Sequence, residues 1–250
     1  MELEIKCPIC NDFCKPLDVV DFNKSCEEQR GIYLPLSGIP IYYYFCDTCK
    51  FCFAPEFHHW SLADFEEKIY NDNYATVDPD YLSLRPTNNA EVLVELFGSQ
   101  KDQIMHLDYG GGNGLLSKLL RGEGWNSASY DPFVDHGMNL NGLGKFNLIT
   151  AFEVFEHVPD VKSLMKNLSS LMDENGIVLF TTLLSNNKII SKKRITWWYA
   201  SPRNGHISIF SNASLRHLAK QAGLSFHSFS DGFHAFCKTI PPWANHLINP

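Results

Sequence analysis

The densest grouping of chemically capable side chains is Glu153-Val-Phe-Glu156-His157, followed by Val-Pro-Asp160. On a helical turn, positions i, i+3 and i+4 share a face, which would let Glu153, Glu156 and His157 converge. Carboxylates and an imidazole on one face can take a proton from an acceptor, or hold a divalent ion that lowers the acceptor's pKa. His206, preceded by Gly205 and by the stretch Trp197-Trp-Tyr-Ala-Ser-Pro-Arg203, could complete the set. Mixed carboxylate and imidazole ligands suit Mn2+ or another transition metal at least as well as Mg2+. A metal-free reading stands beside it, with the acids favouring a helix N-terminus and His157 or His206 acting as a simple base.

The cysteines form a second constellation. Seven of the eight lie in the first 52 residues, with two knuckles, Cys7-Pro-Ile-Cys10 and Cys46-Asp-Thr-Cys49. Paired C-x-x-C knuckles are the ligand pattern of a four-thiolate zinc ribbon. A redox motif needs only one knuckle, and a disulfide framework needs an oxidising compartment; iron or disulfides remain the alternatives. Cys14 and Cys52 lie close enough to replace a ligand, while Cys26 and Cys237 read as buried apolar residues.

A third feature could hold a nucleotide. The apolar run His106-Leu-Asp108 breaks into Tyr-Gly110-Gly-Gly112-Asn-Gly114 before a helix-like segment. Glycines there let a ligand approach the backbone, and the following helix start offers free N–H groups. The dinucleotide fingerprint G-x-G-x-x-G does not fit, because Leu115 stands where that pattern wants Gly or Ala. Further on, the segment 126–130 ends at Asp131-Pro132, where an α/β nucleotide fold places an acid on ribose hydroxyls; a plain turn is the alternative. Residues 146–152 read as a buried parallel strand, 176–184 as the next strand, 213–222 as a helix stopped by Gly223, and 225–229 with 234–238 as two closing strands.

Asp108-x-Gly110-x-Gly112-x-Gly114 resembles motif I of class I S-adenosylmethionine-dependent methyltransferases. The segment from Glu153 to Asp160 is similar to the post-strand motif of methyltransferases acting on quinone precursors, sugars and RNA ends. The resemblance covers roughly residues 101 to 240. It implies an α/β, Rossmann-like sheet with helices on both faces, binding S-adenosylmethionine on Asp108, Gly110, Gly112 and Gly114, with Asp131 on the ribose. In related enzymes a Tyr-bearing segment before the sheet folds over the cofactor, which makes Tyr70, Tyr74 and Arg85 candidates; a plain linker is the other reading. Glu153, Glu156, His157 and His206 together resemble the two-Glu, two-His metal site of small-RNA terminal 2′-O-methyltransferases, and the first three resemble ubiquinone-pathway O-methyltransferases. One departure is visible: only fourteen residues, rich in Gly and Asn, separate Asp131 from Phe146, too few for the usual helix and third strand.

The cysteine-rich start followed by this fold resembles methyltransferases of deoxysugar and surface-glycan pathways that carry an N-terminal zinc module. Three regions are therefore expected: a zinc-binding module over 1–60, a helical linker or cofactor lid over 61–100, and a methyltransferase domain over 101–250. In the linker, Ser61 reads as an N-cap for residues 62–70, and Pro86 as the start of a second helix through Phe97, ended by Gly98. The expected acceptor is a small molecule, with a hydroxyl favoured and a glycosyl or phosphorylated group suiting Arg203 and the neighbouring tryptophans.

Net charge is −7, and residues 1–60 hold five Lys or Arg against nine Asp or Glu, the wrong sign for a nucleic-acid face. No basic segment followed by an apolar core opens the chain and no apolar run reaches the roughly 20 residues of a membrane span, so a cytoplasmic enzyme is expected. Two other functions stay open: an inactive methyltransferase fold serving as a zinc-bearing interaction protein, and a nicotinamide-dependent oxidoreductase disfavoured by the glycine spacing.

Overall fold

The computed structural model describes residues 5–247. The first four residues, part of the stretch read as lacking a leader, and the last three of the expected 101–250 domain lie outside it. In chain order the regular elements are β1 (Ile5–Lys6), β2 (Phe13–Asp21), β3 (Pro40–Phe45), β4 (Cys52–Phe53), α1 (Leu62–Lys68), α2 (Tyr74–Val77), α3 (Leu84–Phe97), β5 (Met105–Tyr109), α4 (Leu115–Gly122), β6 (Asn126–Tyr130), β7 (Phe146–Phe152), α5 (Val161–Leu171), β8 (Met172–Thr181), β9 (Ser208–Ile209), α6 (Asn212–Gln221), β10 (Ser225–Ser228) and β11 (Phe233–Cys237).

Two compact units are interleaved along the chain. One takes Met1–Pro79, Phe155–Ser163 and Leu183–Leu218; the other takes Asp80–Val154, Leu164–Thr182 and Ala219–Pro250. The N-terminal cysteine-rich segment thus shares a unit with the segments around His157 and His206, rather than standing apart as residues 1–60.

The second unit carries a six-stranded sheet in the order β10-β11-β8-β7-β5-β6. β6, β5, β7 and β8 run parallel, and β11 and β10 close the sheet antiparallel. This is the α/β architecture expected; among the described residues no strand pairs beyond β6, and a 3-10 turn, Leu140–Leu143, lies in the short Gly- and Asn-rich interval. Leu148 of β7 and Ile177 and Leu179 of β8 are fully buried and join Leu93, Phe97, Leu116 and Leu120 from α3 and α4 in one apolar cluster. Burial on both faces is why these strands read as unbroken apolar runs.

The first unit holds the antiparallel sheet β1-β2-β3-β4-β9. Tyr43 of β3 is fully buried and Tyr42 is half exposed, the alternation of a one-sided sheet. α1 starts with a full capping box between Ser61 and Asp64. α3 begins two residues before Pro86, and Gly98 keeps right-handed geometry at φ −57°, so the chain passes from α3 into a 3-10 turn. Among the described residues no helix is long and apolar enough to cross a membrane.

Candidate active site

The glycine turn follows β5 in the second unit. Gly110, Gly112 and Gly114 have φ of +75°, +53° and +72°, the left-handed region that side chains with a Cβ rarely adopt. A Cβ on Gly110 would come within 2.5 Å of a Val154 methyl, whereas one on Gly112 would meet nothing within 4 Å. Gly110 therefore serves packing, and the space over Gly112 is open to a ligand. The Gly110 N–H donates to the Tyr130 carbonyl at 2.7 Å. The Gly112 N–H donates to Asp131 Oδ2 at 2.9 Å, and Asp131 Oδ1 accepts from the Phe133 N–H at 2.8 Å. Asp131 thus ties the glycine turn to the tip of β6, a role its sequence position did not reveal.

Asp108 is buried beneath the turn, with its Oδ1 2.8 Å from Thr150 Oγ1. Burial pushes its pKa up to about 7, against the pull of the Thr150 hydroxyl and with a further push from the Asp131 charge. Arg85 lies half-buried in the first turn of α3, its backbone N–H on the Asp80 carbonyl.

The cysteine centre belongs to the first unit. Cys7 to Cys10 and Cys46 to Cys49 form matching turns, in which Asn11 N donates to the Cys7 carbonyl and Lys50 N to the Cys46 carbonyl. Asn11 and Lys50 are both left-handed, at φ +67° and +60°. The four sulfurs lie within 4.8 Å of one another, with Cys7 and Cys49 3.5 Å apart and Cys10 and Cys46 3.4 Å apart. Tetrahedral zinc–sulfur bonds of about 2.3 Å require S···S separations of roughly 3.8 Å, so the donor set fits a divalent ion. Cys14 and Cys52 are buried outside this group. Cys237 is fully buried as expected, but Cys26 is only half-buried, and its sulfur lies 2.9 Å from Ser201 Oγ.

The first unit also gathers Glu156, His157 and His206, whose ligating atoms lie within 4.8 Å of one another. Each has an orienting partner. Tyr199 donates its phenol to Glu156 Oε1, and its carbonyl lies 2.8 Å from His206 Nδ1. Tyr70 Oη lies 3.1 Å from His157 Nδ1. The Ile207 N–H bonded to the Glu156 carbonyl at 2.9 Å brings the two chain segments together. The two imidazoles pack edge to face, with centroids 4.8 Å apart.

The helical face expected from Glu153 does not form. Residues 155–157 make a short 3-10 turn, while Glu153 is left-handed at φ +53° with its N–H on Thr181 Oγ1. A left-handed residue reverses the chain direction before the turn starts, so Glu153 is not part of the group that Glu156 and His157 make with His206. Tyr74 is buried, its hydroxyl 3.3 Å from the Asn204 carbonyl. Arg203, read in sequence as suiting a glycosyl or phosphorylated acceptor, is buried, with Nη1 donating to the Ile69 carbonyl at 3.1 Å. Tyr199 and Thr150 were not singled out in sequence, because nothing local distinguishes them from packing residues.

The methyltransferase domain family matches residues 81–228, more than half of the chain. The ubiquinone biosynthesis O-methyltransferase of Erwinia tasmaniensis is 30% identical over 105 residues, covering 33% of this chain and 43% of that protein. That of Colwellia psychrerythraea is 28% identical over 171 residues, covering 57% of this chain and 68% of its own length. The chain spans less than half the length of the first of these relatives. An O-methyltransferase family protein from Burkholderia thailandensis of known structure is 11% identical, with a TM-score of 0.47 over 71% of this chain and 63% of its own. From the extent of the family match, the chain belongs to the methyltransferase domain family.

Proposed function

We propose that the protein is an S-adenosylmethionine-dependent methyltransferase acting on a hydroxyl of a small polar acceptor, such as a sugar, a nucleotide-sugar or a natural-product or surface-glycan precursor. The observation that carries this reading is the glycine turn itself, with three alternating left-handed glycines, open space over Gly112, and acids at Asp108 and Asp131. Bound S-adenosylmethionine supplies a methyl group on a sulfonium, ready for displacement. The chain's own residues seat the donor, with Asp131 holding both the turn and the ribose, and take the acceptor's proton. His206 suits the proton-acceptor role, because the Tyr199 carbonyl on Nδ1 favours the tautomer whose lone pair is on Nε2. Tyr70 orients the His157 ring through its hydroxyl, which can donate to or accept from Nδ1. Tyr74 and Arg85 are proposed to help close the cofactor site.

The reading includes zinc on Cys7, Cys10, Cys46 and Cys49 as a structural ion, and hence a reducing, cytoplasmic compartment in which thiolates persist. Glu156, His157 and His206 could also hold Mn2+ or Mg2+, which would lower the pKa of an acceptor oxygen. Glu153 is kept as an accessory acid only. The test is calorimetry with S-adenosylhomocysteine on wild type and Gly112→Val. Binding by wild type and its loss in a folded variant is expected; unchanged affinity in Gly112→Val would remove the assignment. His157→Ala and His206→Ala both retaining full turnover on an identified acceptor would remove the proton-acceptor role.

A further inference from the structure

A continuous chain of buried polar side chains runs behind the glycine turn. His106 and Asp108 are two apart on β5 and so point to the same face. Asp108 Oδ1 lies 2.8 Å from Thr150 Oγ1, which lies 2.9 Å from His106 Nε2. On the other side of the ring, His106 Nδ1 is 2.7 Å from Ser127 Oγ, itself 2.9 Å from Ser117 Oγ. Ser117 Oγ donates to the Ala128 carbonyl at 2.6 Å. All five side chains are buried.

These five contacts each need one hydrogen between their heavy atoms. Thr150, Ser127 and Ser117 carry one each and a neutral imidazole carries one, which leaves the chain one short. The missing hydrogen sits on the Asp108 carboxyl or makes His106 an imidazolium. Burial decides between them, since it holds His106 down at about 3 and Asp108 up at about 7. The charged groups around the chain agree. Asp131 disfavours a second anion at Asp108, and the nearest cation, Arg121, is engaged by the Ser127 carbonyl at 2.9 Å. Asp135 accepts from the Asp131 N–H and adds negative charge on the same side; Trp125, edge-on to His106, carries none. Tyr109 and Tyr130 both have raised pKa values through burial and stay neutral.

We propose that Asp108 is a protonated, hydrogen-donating carboxyl in the cofactor-free protein, that cofactor binding drives its proton into solvent, and that His106 is the positioning residue setting this linkage. The inference rests on the reading of the turn as the S-adenosylmethionine site. A ligand bearing a positive ammonium group on this turn favours the ionised carboxylate. One proton then leaves Asp108. The four remaining hydrogens rearrange: Thr150 donates to Asp108, His106 donates from Nε2 to Thr150, Ser127 donates to Nδ1, and Ser117 keeps its bond to the Ala128 carbonyl. In this arrangement the Ser127–Ser117 contact is left without a hydrogen, and the His106 tautomer has switched from Nδ1–H to Nε2–H.

The experiment is calorimetric titration of the full chain with S-adenosylhomocysteine between pH 5.5 and 7.5, in buffers of different ionisation heat. Over this range the ligand's carboxylate and amino groups are expected to keep one charge state. Release of about one proton at pH 6 is expected, with affinity rising about tenfold per pH unit until it levels near pH 7. In His106→Leu the Thr150 hydrogen is held by Asp108 alone, so the proton release at pH 6 should diminish and the affinity should level at a lower pH than in wild type; a purely structural role would lower affinity equally at every pH. Nitrogen-15 shifts of His106 in the wild type report the tautomer directly and need no variant. Binding with no proton released, pH-independent affinity, or an Nε2–H tautomer already present without ligand would each overturn the proposal. Absence of any binding by wild type would instead overturn the cofactor reading, and this inference with it.

Discussion

Tyr199 and Glu156, 43 positions apart, are joined by a buried hydrogen bond from the phenol to Oε1. The same phenol oxygen accepts from the Leu183 N–H at 3.1 Å, and the Tyr199 ring lies against His206 at 4.2 Å between centroids. Tyr199→Phe keeps the ring and removes only the hydroxyl. It should cost about 1–3 kcal/mol in urea unfolding, since two buried groups lose a partner, and slow turnover by disordering Glu156 and His206. Unchanged stability and rate would show that the bond is incidental.

Gly205 should tolerate no side chain. It is left-handed at φ +84°, and a Cβ there would lie 2.8 Å from Tyr70 Oη and 3.0 Å from His157 Nδ1. Gly205→Ala is expected to lose roughly 1–3 kcal/mol through strain and overpacking. His157 should show the displacement as an altered imidazole NMR signal, while affinity for S-adenosylhomocysteine stays normal.

The cysteine centre predicts one equivalent of zinc per chain by elemental analysis. Cys46→Ser should lose the ion and unfold the first unit at a lower temperature, because binding energy at a four-thiolate site is folding energy. A metal-free protein with unaltered melting would contradict the centre.

Asp108→Asn tests the cost of burying an acid. The folded pKa of about 7 stands above the ordinary aspartate value of 3.8, so the native state holds an extra proton between these values. Stability from this group is complete below about pH 4 and falls as pH rises through 7. Against wild type the variant should be close to neutral at pH 4.5 and more stable at pH 8, by an amount on the order of 2–4 kcal/mol. It should also bind S-adenosylhomocysteine poorly. Equal stability at both pH values would mean that Asp108 is not destabilised in its charged form.

Local chemistry made several elements readable in the sequence. The bounds of β7 follow from its apolar run, those of β6 from the Asp131-Pro132 stop, and the Ser61 cap from a side chain three residues from its partner. The knuckles and the glycine turn were legible because each depends on backbone turns closed within a few residues. The helical face through Glu153 was misread because a left-handed residue at the end of a strand leaves no periodic trace.

Partners distant in sequence were decided only by the tertiary structure. His206 reaches His157 through the Ile207 to Glu156 backbone bond, and Arg203 turns inward to the Ile69 carbonyl. His106 finds Thr150 and Ser127 because parallel pairing sets β5 between β7 and β6, with His106 level with Ser127 and Asp108 level with Thr150. Composition and spacing determined which groups this chain carries and the short turns that present them. Which buried groups share a hydrogen, and therefore which are charged, depended on the closed fold, because burial removes the water that would otherwise satisfy each group separately.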